Sequence, residues 1–453
     1  MYDLLIHNAW VVTVDGNGHI IPDGVIGIQG DRIVHVGPQS AGDALPAARE
    51  TIDAARGIVL PGLVNAHTHL PMTIFRGLAD DLPLKTWLED HIFPAEAAHI
   101  TEDTVHWGTL LACGEMLLGG ITTCCDGYFR EEAVARAVAM SGMRAVLGHG
   151  VIDYPAPGVP DPADNIRTAT RFVQQWQDVS PLITPSIFCH SPYTCSDTTL
   201  ARAKAAARDE GVLFQMHVAE TRDEIPPVGE RGASPPLTHR LAQLDLLDND
   251  TLLVHGVWLA PDDIDRIAGS GSSVVHCPES NMKLASGIAP VTQMHRAGIT
   301  VGIGTDGCAS NNDLDLWREM DMTAKLHKVA GGDPTAMPAD SVLAMATREG
   351  ARAIGLGDRI GSIEKGKQAD LVILDSAHPA MCPVYHPVSQ AVYAGGGEMV
   401  RDTIVAGRVV VRNHALVNGH MAETMAQVRA IARRIKNASA KRPGGDTGQG
   451  SSL

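Results

Sequence analysis

Eight short apolar runs, separated by amphipathic helical stretches, occupy the middle of this chain and limit its fold more than any other feature. The runs cover residues 58–64, 121–125, 145–152, 183–189, 213–218, 252–257, 273–275 and 299–303. Helical patterning lies between them, at 133–140, 163–173, 200–208 and 261–267 among others. Apolar runs of this length are buried strands when they alternate with helices. Eight such units over about 250 residues are what a (β/α)8 barrel requires.

The two chain ends have another texture. Residues 4–14, 24–29 and 32–36 are rich in Ile and Val, with Asp15-Gly16 and Gly30-Asp31 supplying turn chemistry. Strand-like stretches return at 369–374, 388–393 and 400–411. The expected fold is therefore α/β: a TIM-type barrel over 57–358, with a small β-sandwich made from 1–56 and 359–420. A helix is expected over 421–435. The tail from Asn437, rich in Gly, Ser and Lys, reads as disordered.

Charge and cysteine content narrow the function classes. A formal net charge of −16 repels phosphate backbones and anionic lipid heads, which argues against nucleic acid and membrane partners. No apolar run is long enough to span a bilayer. The eight cysteines include no Cys-x-x-Cys, and in a chain of 453 residues they read as reduced thiols of a cytoplasmic protein.

Chemistry-bearing residues collect where the runs end. His67 and His69 follow the first run in Asn65-Ala66-His67-Thr68-His69. Two residues apart on a strand, they project to the same side. Alone, such a triplet says little. His190 follows the fourth run, however, His217 lies in the fifth, and His255, His276 and Asp306 stand at the last three. Barrel active sites gather at the C-terminal strand ends, and core packing does not explain this many polar residues there.

The segment 60–79, with His67-Thr68-His69-Leu70-Pro71-Met72, resembles the amidohydrolase superfamily. So do His217-Val218-Ala219-Glu220, the segment from His276 to Leu284, and Gly304-Thr305-Asp306-Gly307 with the residues up to Asn312. Within the superfamily the likeness is to the methylthioadenosine and S-adenosylhomocysteine deaminases. The resemblance implies a single metal, zinc with iron as the alternative, held by His67, His69, His217 and Asp306. A bridging Lys, which binuclear relatives place at the end of the fourth strand, is absent before His190.

The same resemblance implies catalytic roles: Glu220 as proton shuttle, His255 as the group orienting water, Asp306 as a second proton acceptor. It makes Glu96 the acceptor for ribose hydroxyls and His190 a purine contact. His149 stands where members accepting S-adenosylhomocysteine tend to carry an Arg, which favours an uncharged 5′ group. His276 is left as either a supporting or a core histidine.

The expected reaction is hydrolytic deamination of an adenosine-type nucleoside. The expected partner is that small molecule, and self-association is left open. Two other readings stay in view: a hydrolase of another heterocycle, of guanine, pterin or triazine type, for which Glu96 has no purpose, and a non-catalytic barrel. Gly302-x-Gly304-x-x-Gly307 is no dinucleotide fingerprint, since it holds Asp306 and opens no βαβ unit.

Overall fold

The computed structural model describes residues 1–39, 44–224 and 237–439. Its centre is an eight-stranded parallel sheet. In chain order the strands are Leu63–Thr68, Ile121–Tyr128, Arg144–Val151, Ile183–Cys189, Phe214–Val218, Thr251–His255, Ser273–His276 and Val301–Ile303, each hydrogen-bonded to the next. The ring is completed by a parallel bridge between Thr68 and Asp306, where the Asp306 N–H donates to His67 O at 3.1 Å.

Side-chain alternation sorts the strands into an inner and an outer layer. Val64, Ala66, Cys125, Val146, Leu252, Val254 and Val275 come from strands around the ring yet form one apolar cluster, so they fill the interior. The odd partners, such as Ala145, Leu147, Phe214 and Met216, pack in the outer core with the helices. Those helices include Glu102–Leu118, Glu131–Ser141, Asn165–Trp176, Asp197–Glu210, Pro261–Ser270 and Leu316–Gly331. Asp197–Glu210 shows how local sequence sets the limits. Ser196 accepts from the Thr199 N–H at its start, and Gly211, at φ +66°, takes the left-handed turn that ends it.

The chain ends meet in one mixed nine-stranded sheet. Tyr2–Val12, Ile20–Gln29, Arg32–Pro38, Ala48–Asp53 and Ile58–Pro61 come from the start, and Leu371–Leu374, Val400–Val405, Arg408–Arg412 and Ala415–Leu416 from the end. The seam is the antiparallel pairing of Ile58–Pro61 with Leu371–Leu374. Leu4, Ile6, Ile26, Ile28, Ile33 and Ile373 anchor its separate apolar cluster. The sheet is fastened to the barrel by an ion pair that is almost wholly buried. Arg144, opening the third barrel strand, donates to both carboxylate oxygens of Asp370 at 2.8 and 3.0 Å.

Three expectations are corrected. The run 58–64 is two strands, and the end sheet takes in Ile58–Pro61, past the boundary expected at residue 56. The chain crosses from one sheet to the other at Gly62, where a Cβ would lie 2.2 Å from Thr122 of the second barrel strand. Residues 388–393, expected as a strand, lie in the helix Pro387–Ala394. The reason is periodic: Pro387, Val388, Ala391 and Val392 are its buried residues, and that spacing is helical. His386 caps it by accepting from the Ser389 N–H. The last helix runs Met421–Ser439, so Asn437 closes a helix instead of opening a tail, and the tail beyond 439 lies outside the described residues. No helix among the described residues is long and apolar enough to cross a membrane.

Candidate active site

His67, His69, His217 and Asp306 converge at the C-terminal rim. All four are buried, and one ligand-type atom from each lies within 4.8 Å of the others. Asp306 Oδ1 is 3.3 Å from His69 Nε2 and 3.6 Å from His67 Nε2, and the Nε2 atoms of His67 and His217 are 3.1 Å apart. Bonds of about 2.0–2.1 Å around a tetrahedral zinc place neighbouring ligand atoms about 3.3 Å apart. The residues present therefore fit a metal ion.

Their electrostatics suit the same purpose. Burial, with His67 and the other rings adding to it, holds the His217 imidazole well below its ordinary pKa. Burial likewise holds His67 down to about 4. Both rings stay neutral and keep a lone pair to offer. Asp306 behaves in the opposite sense. Burial opposes its charge, but His67 and His69 outweigh that and keep the carboxyl ionised.

The surroundings orient each ligand. His69 Nδ1 is 2.6 Å from Gly127 O, which sets that ring nitrogen as the donor. Ser280 and Ser310 both donate to Asp306 Oδ2, at 2.7 and 2.8 Å, leaving Oδ1 to the histidines. Sequence reasoning missed both serines, although they stand inside the motifs that contain His276 and Asp306. A serine in a loop carries no chemical signal until its partner is known.

Glu220 and His255 join the cluster. Glu220 is buried, and its Oε2 is 3.7 Å from His255 Nε2, beyond hydrogen-bond range. Burial, reinforced by the Asp306 charge, pushes its carboxyl up to about 8. His255 Nδ1 meets Asn281 Oδ1 at 3.1 Å. Regular alternation does not deliver these side chains. Leu252 and Val254 point inward, so His255 should point out. A left-handed backbone brings it in: φ is +75° at His255, +60° at Asp306 and +51° at Ala219 beside Glu220. Such angles are rare outside glycine and cluster at functional sites.

Glu96 and His190 line the same cleft. Glu96, in the helix Phe93–His99, accepts from the Tyr128 hydroxyl at 2.6 Å. Burial pushes its carboxyl up to about 7, against the pull of Tyr128. His190 Nδ1 is 2.9 Å from Thr194 Oγ1, and its ring meets His217 edge to face. Beyond Glu96 the cleft opens into an outer chamber of about 1160 Å³. Phe129, Ile152, Tyr154, Pro155 and Leu284 form much of its wall.

His149 and His276 are not brought to this cleft. A Cβ on Gly148 would meet Gln215 and Phe188, and one on Gly150 would meet Phe129, so these two face the interior side. His149 between them turns toward the helices, where Arg171 helps burial hold its pKa down to about 4. The expected substrate contact of His149 is corrected accordingly. His276 Nε2 lies 3.3 Å from His327 Nε2 of the helix Leu316–Gly331, in the outer layer.

Comparison with known proteins identifies the family and the fold. The model of the amidohydrolase family matches residues 58–410. A 5-methylthioadenosine/S-adenosylhomocysteine deaminase of Syntrophobacter fumaroxidans is 46% identical over 434 residues, 96% of this chain and 98% of that one. A 5′-deoxyadenosine deaminase of Methanosarcina mazei is 42% identical over 92% of this chain and 94% of its own. A solved adenosine deaminase of Xanthomonas campestris with bound zinc superposes with a TM-score of 0.92 at 39% identity, covering 96% of this chain and 99% of that one. With eight strands in a closed parallel ring, and a histidine–aspartate cluster on its rim, the chain belongs to the amidohydrolase family.

Proposed function

We propose that this enzyme hydrolyses the exocyclic amino group from adenosine-type nucleosides. Water's oxygen replaces nitrogen on the purine carbon, and the amino group leaves as ammonia. Glu96 carries the proposal. Its buried carboxyl lines both the cleft at the histidine cluster and the outer chamber. It stands where a ribose would lie if the base reached the cluster and the 5′ group filled the chamber. A carboxylate can accept from both hydroxyls of a vicinal diol, a use that a free base or a triazine does not have.

His67, His69, His217 and Asp306 are assigned as ligands of one zinc ion, which when bound supplies a water activated near neutral pH. Asp306 would take the proton from the attacking water. Its anchoring by Ser280 and Ser310 fixes where the proton goes. Glu220, protonated near neutral pH, donates to the ring nitrogen beside the attacked carbon and then serves the departing amine. His255 orients the water. With Nδ1 engaged by Thr194, His190 presents Nε2 to the purine edge.

The outer chamber receives the 5′ group, and its lining mixes apolar residues with Lys85, Arg222 and Lys283, so it suits methylthioadenosine, 5′-deoxyadenosine and adenosine and leaves room for the charged tail of S-adenosylhomocysteine. Seven of the eight free cysteines are buried, which fits a reducing cytoplasm. The test is ammonia release by zinc-loaded protein from these nucleosides, adenine, guanine and an amino-triazine. Turnover of nucleosides alone is expected. Turnover restricted to free bases or the triazine would end the nucleoside reading.

A further inference from the structure

Glu220 leaves the fifth barrel strand across a strained link. The strand ends at Val218, and Ala219 sits in the left-handed region at φ +51°. Two bonds from the following strand's loop brace the residues before Glu220: the Gly256 N–H donates to Val218 O and the Trp258 N–H to Ala219 O, each at 3.0 Å. After Glu220 the brace is a side chain. Glu224 Oε1 accepts from the Glu220 N–H and from the Thr221 N–H, both at 2.9 Å. The Glu224 N–H donates back to Thr221 O at 3.3 Å. Thr221-Arg222-Asp223-Glu224 has the spacing of a capping box, in which a glutamate reaches back to the main chain three residues earlier.

The box spans the turn Arg222–Glu224, the last residues described before Leu237. Its effect falls on Glu220, whose N–H is one of the two that are held. A left-handed residue persists only where its surroundings over-determine it. With the Glu220 amide released, rotation about Ala219 swings the Glu220 carboxyl away from His255 and Asp306.

We propose that Glu224 is a positioning residue, its carboxyl clamping the main chain at Glu220 and so aiming the Glu220 side chain into the cleft. This rests on the reading of Glu220 as the proton carrier. The experiment compares Glu224→Ala and Glu224→Gln in zinc-loaded, full-length protein, because an amide oxygen still accepts both N–H groups. Hydrogen exchange at the Glu220 and Thr221 amides, kcat and KM for methylthioadenosine, and zinc content are measured.

In Glu224→Ala, exchange at both amides speeds up by about tenfold or more. Its kcat falls about tenfold or more, while KM stays within about threefold and zinc content is unchanged. Glu224→Gln stays within about threefold of the parent in every readout. Amides still protected in Glu224→Ala overturn the clamp, as does an unchanged kcat. So does a Glu224→Gln protein as impaired as Glu224→Ala, since charge and not clamping would then be the function. Should Glu224→Ala not fold, Glu224→Asp, one methylene short, makes the same comparison. Glu220→Gln separates the two ideas. If it keeps its activity, the proton-carrier reading fails, while the amide exchange still reports on the clamp.

Discussion

Two buried clusters of titratable groups in this molecule make opposite use of burial. At the junction of barrel and end sheet, Arg144 and Asp370 satisfy each other. The guanidinium makes two bonds to the carboxylate and a third to Pro181 O, and Asp370 also accepts from the Ala406 N–H at 2.7 Å. At the rim, the Glu220 carboxyl has no hydrogen bond among the described residues, and His67, His69 and His217 crowd their lone pairs around one point. A buried titratable group whose bonding capacity is filled holds architecture together. One whose capacity is unmet waits for a ligand, and the difference is visible before any ligand is present.

The contrast can be broken most severely by chelation. If the proposed zinc is bound, stripping it should abolish turnover, and one equivalent per chain should restore it, while the Arg144–Asp370 junction is untouched. Circular dichroism of the stripped protein should keep the barrel signature. Next in size, Glu220→Gln should lower kcat by about 10²–10⁴-fold with zinc content unchanged, read by steady-state kinetics and metal analysis.

At the junction, Arg144→Met leaves Asp370 buried and unpaired. Denaturant unfolding should show a loss of about 3–5 kcal/mol, and kcat per folded molecule should hold. Replacing both partners by apolar residues should recover most of that loss, which no double replacement among the rim residues would do for activity.

A milder test uses pH at Glu96. Its carboxyl is raised to about 7 because it is buried, so it takes up a proton as pH falls through that value. A protonated carboxyl gives up one of its two acceptor positions. KM for ribonucleosides should therefore be flat above pH 7 and rise toward about tenfold per unit below it. Glu96→Gln should raise KM about tenfold at pH 8 and flatten the dependence. The smallest effect belongs to His149→Asn, with kcat/KM within about twofold of the parent across 5′-substituted nucleosides. A large change there would return His149 to the substrate.

The barrel was legible because its runs are short, apolar and punctuated by polar ends. Its first boundary was not, since 58–64 is one unbroken apolar stretch in which only Pro61-Gly62 marks the passage between two sheets. Residues 388–393 misled for a related reason: Val-rich segments suit a strand until the positions of the buried residues are known. At the site, histidine spacing and the family motifs located His67, His69, His217, Glu220 and Asp306 together. Ser280, Ser310, Tyr128 and Glu224 escaped because ordinary polar residues gain meaning only from a partner distant in sequence. His255 was named through the same resemblance and does reach the cleft, although the left-handed backbone that turns it inward leaves no mark in its neighbours. His149 was placed by its position after a strand, while its facing depended on the two glycines beside it.

The parallel bridge from Thr68 to Asp306 does more than complete a ring. His67 stands on the first barrel strand and Asp306 just past the last, so these two of the four clustered residues meet only when the chain has been synthesised past the eighth strand and the cylinder has shut. A nascent or partly opened barrel offers scattered histidines and no tetrahedral site. A metal held by these four residues would therefore be retained only by molecules whose barrel has closed.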